Sequence, residues 1–164
     1  MRRPFSNSNL WVVTFSAIEE NHFSVTAVPE TLHLTNLSLL KPSEAVNLET
    51  ALTANRSMGG HYVQGHVDGM AKITHIVKTK DSWECTFSCD AELAKYIVKK
   101  GFITIDGMSL TIVNITDQEF SVVFIPHTIS NTIVQFYQPN TAVNIEVDVM
   151  AKYLEKHLHA KHTN

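Results

Sequence analysis

FSVTAVPETLHLTNLSLLKPSEAVNLE, residues 23–49, and FSVVFIPHTISNTIVQFYQPNTAVNIE, residues 120–146, align without a gap. Pro29 matches Pro126, Thr31 matches Thr128, Thr35 matches Thr132, Pro42 matches Pro139, and Val46-Asn47 matches Val143-Asn144. Two unrelated β-rich segments would not keep both prolines and a Val-Asn-x-Glu ending in step, so the chain contains an internal repeat. Each copy reads alike. A strand rich in β-branched and aromatic residues, HFSVTAV or EFSVVFI, runs into a proline and a Thr-rich turn. A short helical or irregular segment follows, then a loop holding Pro42 or Pro139. A second strand closes the copy, AVNLETA in the first and AVNIEVDV in the second.

Working outward, FITIDGMSLTIVNI (residues 102–115) predicts a hairpin turning at Asp106-Gly107. DAELAKYIVKK (90–100) predicts a helix with Asp90 as N-cap. MAKITHIVKTKDSWECTFSCD (70–90) predicts two strands and a polar turn, and MAKYLEKHLHAKH (150–162) a terminal helix. Many short strands with one small helix point to a closed all-β barrel. The second copy then extends from about His61 to about Asp148. The same extent applied to the first copy reaches back beyond Met1. About 35–40 residues of a full unit are therefore expected to be missing, leaving an incomplete barrel with open edges.

Composition narrows the function classes. The 164 residues are 44% hydrophobic and 18% charged, with a net charge of −3. That is a globular composition. It lacks the basic block that a nucleic-acid backbone binder needs, so no nucleic-acid partner is expected. No apolar run approaches the ~20 residues of a membrane span. The start, MRRPFSNSNLWVVTF, is at most a weak targeting signal. Cys85 and Cys89 would lie about 13 Å apart on one face of an extended strand at ~3.3 Å per residue. Free thiols in a reducing compartment, the cytoplasm, are the expected state.

GGHYVQGHVDG, residues 59–69, concentrates four of the chain's six glycines around two histidines. Gly59 and Gly60 suit a backbone passing between units in unusual φ, and Gly65 suits close approach to a flat ring. A zinc pair at His61 and His66 lacks the helical i, i+4 spacing and a third ligand, so no metal is expected.

Together GGHYVQGHVDG, YIVKKGFITIDGMSLTIV, FIPHT and VNIEVDVMAKYLEK resemble the riboflavin synthase family, over roughly residues 14–158. The resemblance implies two tandem Greek-key six-stranded lumazine-binding barrels and a C-terminal helix. Residues 1–60 would be the first barrel, incomplete at its N-terminus, 61–150 the second, and 151–164 the helix and tail. It implies the dismutation of two 6,7-dimethyl-8-ribityllumazine molecules to riboflavin and 5-amino-6-ribitylaminouracil, with no cofactor and no metal. It also implies a homotrimer whose site lies between the first barrel of one chain and the second barrel of its neighbour, with the terminal helix helping to build the trimer.

By the same resemblance, His66, Ser109 and Asp148 are the catalytic residues. Gln64, Gly65, Lys100, Gly101, Thr111, Ile125 and Thr128 bind substrate, with Thr14, Val28 and Thr31 at the equivalent first-copy positions. A structural role stands beside the catalytic one for His66, and is preferred for His61. Ordinary strand surface is the other reading of Ser109 and Thr111, and a helix C-terminal cation that of Lys100. Pro126 shapes its turn. DGMSLT is not a nucleophile elbow, so Ser, His and Asp are not read as a hydrolase triad. The family carries a cysteine or another polar residue where Val12 stands. That departure and the short start keep two other readings open: a non-catalytic lumazine- or flavin-binding protein, and an inactive fragment of the enzyme.

Overall fold

The computed structural model describes residues 14–18 and 22–161. Within the first copy, β1 (Thr14–Ile18) and β2 (Phe23–Thr26) form an antiparallel two-stranded sheet. They lead into α1 (Pro29–Leu34) and a 3-10 turn at Asn36–Leu39. Then come β3 (Gly69–Lys78), β4 (Trp83–Ser88), α2 (Ala91–Ala94), β5 (Phe102–Ile105), β6 (Met108–Ile115) and β7 (Glu119–Phe124). The chain ends with α3 (Pro126–Asn131), a 3-10 turn at Ile133–Phe136, β8 (Ala142–Val147) and α4 (Val149–Lys161).

The six strands of the second half close into one barrel, in the order β3-β4-β7-β6-β5-β8. The pleat sends alternate residues inward. Ile73, Cys85, Phe87, Ile103, Ile105, Ile112, Val122, Phe124 and Ile145 are each 0% exposed inside it. Phe87 stacks on Phe120 at 5.2 Å between ring centres. Cys85 and Cys89 are both free, and burial raises each thiol's pKa to about 11. Asp106 (φ 44) and Gly107 (φ 81) make the tight β5–β6 turn, the left-handed pair that a two-residue hairpin requires.

The expected hairpins, the closed barrel and the terminal helix are present. Two expectations need correction. The helix over residues 90–100 shrinks to Ala91–Ala94, and Asp90 makes no side-chain cap bond. β-branched Ile97 and Val98 and left-handed Lys100 (φ 68) follow, and the chain turns tightly into β5. AVNLETA is not a strand at all. Its match, β8, is paired on both edges, by β3 and by β5, whereas residues 45–51 have no strand to pair with among the described residues. A strand exists by its ladder, so the sequence pattern alone does not make one. No helix among the described residues is long and apolar enough to cross a membrane.

The outer faces of β5 and β8 position the site. Register places Ser109 opposite Thr104 and Thr104 opposite Glu146, so three polar side chains form one row across β6, β5 and β8 on the outside of the barrel. Thr104 is 2% exposed and Glu146 4% exposed, because a strap of the glycine-rich segment lies over them.

Candidate functional site

The strap satisfies the polar row atom by atom. His61 places Nδ1 2.7 Å from Ser109 Oγ and Nε2 3.2 Å from Thr104 Oγ1. The His61 backbone N–H donates to the same Ser109 oxygen at 3.3 Å. Farther along, the N–H groups of Gln64 and Gly65 donate to the two carboxylate oxygens of Glu146, at 2.7 and 3.0 Å. The imidazole is buried and lies parallel to the Phe102 ring, with centroids 5.1 Å apart. Gly60 must be glycine here. Its φ is +89, and a Cβ would sit 2.2 Å from Ser109 Oγ.

Burial lowers the pKa of His61, partly offset by the charge of Asp148. The ring is thus held neutral. In the tautomer that carries its hydrogen on Nε2, that N–H faces Thr104 Oγ1 and Nδ1 can accept the Ser109 hydroxyl proton; in the other tautomer the Nδ1–H donates to Ser109 Oγ. This couples a hydroxyl to a neutral imidazole, a pair able to take up and return a proton near neutral pH. Burial also raises the pKa of Glu146, against the two N–H donors that lower it.

Ser109 opens onto a cleft of about 1370 Å³ between residues 45–63 and the second copy. Leu48, Tyr62, Met108 and Phe136 give it apolar and aromatic surface, and Thr128, Asn131 and Thr132 give it hydrogen-bonding groups. Tyr62 and Phe136 are 65% and 61% exposed, so two flat rings are available for stacking. No group of three or more potential metal ligands occurs among the described residues.

Of the residues singled out from sequence, Ser109 and Thr128 line this cleft. His66 does not. It is exposed, its charge acts on Glu146, and the imidazole brought to Ser109 is that of His61. Asp148 precedes α4, where its carboxylate accepts the Met150 N–H at 3.0 Å, and it reaches His61 only through its field. Gln64 and Gly65 bind Glu146 through backbone. Thr111 is exposed on β6, two residues beyond Ser109 and on the same face. Lys100 is exposed with its N–H on the Ile112 carbonyl, and Gly101 leaves room for Val98.

Ile125 and Val28 are the N-caps of α3 and α1, each 56% exposed. Thr31 lies within α1, its carbonyl accepting the Thr35 hydroxyl. Thr14 begins β1, opposite Thr26, and the side chain of Thr14 and the whole of Val12 fall outside the described residues. Thr104, Glu146 and Asn47 were not among the site residues expected from sequence, nor was His127, which lines the cleft. Glu146 and Asn47 were nonetheless visible in the repeat as the Val-Asn-x-Glu ending. Thr104 carried no signal, since its place opposite Ser109 follows from strand register alone.

The lumazine binding domain model matches the chain in two stretches, residues 10–51 and 64–148, one over each copy of the repeat. The riboflavin synthase of Bacillus amyloliquefaciens is 44% identical over 147 residues, covering 90% of this chain and 68% of that protein. That of Bacillus subtilis (strain 168) is 41% identical, covering 93% and 71%. That of Schizosaccharomyces pombe (strain 972) is 42% identical, covering 88% and 70%. Among solved structures, LumP complexed with riboflavin superposes with a TM-score of 0.77 at 21% identity, covering 85% of this chain and 75% of that one. This last likeness is one of fold.

Proposed function

This chain belongs to the riboflavin synthase family, and from that premise we propose that it converts two molecules of 6,7-dimethyl-8-ribityllumazine into riboflavin and 5-amino-6-ribitylaminouracil. One lumazine gives up a four-carbon unit, which the other gains, and the donor leaves as the diaminouracil. No oxidant is needed, and the reaction asks the protein for no cofactor or metal.

The observation that carries the reading is the Ser109–His61 pair at the mouth of the cleft. The 7-methyl protons of the lumazine are acidic because the ring delocalises the resulting anion. A hydroxyl backed by a neutral imidazole removes and returns such a proton. Tyr62, Phe136 and Leu48 suit the pteridine face, and Thr128, Asn131 and Thr132 suit the ribityl hydroxyls. Holding the two rings together supplies the largest part of the acceleration, ~7–11 kcal/mol for well-oriented reactants. In this reading a neighbouring chain completes the site in a homotrimer. His66, Thr111, Lys100 and Ile125, exposed in one chain, then serve the ligand held between two. Asp148 sets the field at His61. Residues 1–60 act as the first lumazine unit and 61–150 as the second.

Purified chain incubated with the lumazine should develop riboflavin fluorescence, and Ser109→Ala should slow it by ~10²-fold or more. Binding without turnover would make the chain a lumazine-binding protein instead, and no binding would retire the reading.

A further inference from the structure

The first-copy wall of the cleft, residues 45–50, has no strand ladder to hold it among the described residues. The Asn47 side chain ties it to both other walls. Asn47 Nδ2 donates to the Asp106 carbonyl at 2.9 Å, at the start of the turn that presents Met108 and Ser109. Asn47 Oδ1 accepts the Ile133 N–H at 2.9 Å, at the start of the 3-10 turn that follows Thr128. Asn47, Ser109, Thr128 and Ile133 all line the cleft.

The anchor on the far side is rigid. Asp106 is 1% exposed, and its carboxylate is held by the Tyr137 hydroxyl at 2.6 Å and the Asn144 N–H at 2.9 Å. A pull on the Asp106 carbonyl therefore moves the β5–β6 turn as a body, and with it Ser109.

The repeat makes this arrangement reciprocal. Asn144 matches Asn47, and Asn36 matches Ile133. Asn144 Oδ1 accepts the Asn36 N–H at 2.7 Å, as Asn47 Oδ1 accepts that of Ile133. Each copy thus holds the 3-10 turn of the other. The two clasps differ in surroundings. Asn144 is 2% exposed within β8, whereas Asn47 is half-buried and faces the cleft.

We infer that Asn47 is a positioning residue that sets the spacing between the first-copy wall and the Ser109 turn, and so fixes how the lumazine ring is seated in the cleft. This deepens the lumazine reading and rests on it for the identity of the ligand. The side chain acts through the Asp106 carbonyl and the Ile133 amide.

The test uses the full chain and two readouts. Steady-state turnover of the lumazine should show Asn47→Ala raising KM about ten-fold with kcat within about two-fold, the pattern of lost binding and not of lost chemistry. Amide hydrogen exchange, with no ligand present, should quicken about ten-fold at Ile133, whose N–H Asn47 accepts, in the same variant. Asn47→Asp keeps the acceptor for Ile133 but turns an oxygen toward the Asp106 carbonyl. It should share the KM rise while Ile133 stays protected.

An Asn47→Ala chain with unchanged KM and unchanged exchange at Ile133 overturns the inference. So does one whose activity falls only in proportion to its loss of folded protein. If the parent chain neither binds nor converts the lumazine, the proposed function fails, and the exchange measurement still decides whether Asn47 joins the walls.

Discussion

Residues 23–49 and 120–146 share a sequence pattern, and for most of their length they share a backbone. Val28 and Ile125 cap their helices at φ,ψ of −78,160 and −81,159, each followed by proline. Thr35 and Thr132 both cap a 3-10 turn, accepting from the N–H two residues on while donating back four residues. Ser43 and Asn140 both take the left-handed region, at φ 73 and 71. Then the copies part. Residues 142–147 become a strand buried on both faces, and residues 45–51 become none. Backbone shapes set by proline, caps and turns recur wherever their residues recur. A strand recurs only where neighbours offer it a ladder.

The widest gap should appear in the strands that open each copy. Phe120 is 1% exposed in the barrel and Phe23 39% exposed in the two-stranded sheet. Phe120→Ala should cost ~3–5 kcal/mol in denaturant unfolding and Phe23→Ala under ~1 kcal/mol. Equal costs would mean that the first copy has a core as tight as the second.

Asp106 sharpens the contrast through pH. Burial raises its carboxyl to about 6, against the Tyr137 and Asn144 hydrogen bonds that lower it. A carboxyl whose folded pKa lies above its unfolded one binds more protons folded than unfolded between the two values. Stability is therefore lost as pH rises from about 4 to about 6, by about 3 kcal/mol at most. Asp106→Asn, which keeps an oxygen for the Asn144 N–H, should lack that fall in urea melts taken across the same range. His61 runs in the opposite sense. Its lowered pKa makes acidification destabilising, so the difference between variant and parent, not the raw curve, is the measurement.

The smallest effect tests the shared part. Thr35→Ala and Thr132→Ala should each cost ~1 kcal/mol, and the two costs should agree within a few tenths. A large difference would show that the caps are not equivalent in energy despite equal geometry.

Much of this was legible in the residues. The repeat located the caps and turns, Asp106-Gly107 located a hairpin, and residues 70–90 read as the two strands and turn of β3 and β4. Ser109 and Thr128 were singled out by motif resemblance, and both line the cleft. The pairing of Ser109 with His61 was not legible. Both histidines sit in one glycine-rich stretch, and which of them meets β6 depends on where the strap crosses the barrel. The helix expected over 90–100 failed for a related reason, since tight packing of Leu93 and Ile97 into the core draws the chain round after Ala94.

What the order of residues settled alone was local: where prolines start helices, where threonines cap turns, and where the backbone turns left-handed. These depend on sterics and hydrogen bonds within a few residues. The closed barrel, the unladdered tail of the first copy, the row Ser109–Thr104–Glu146 and the neutral imidazole above it were decided in three dimensions. Each requires groups far apart in the chain to meet, and the burial that shifts His61 exists only once they have met.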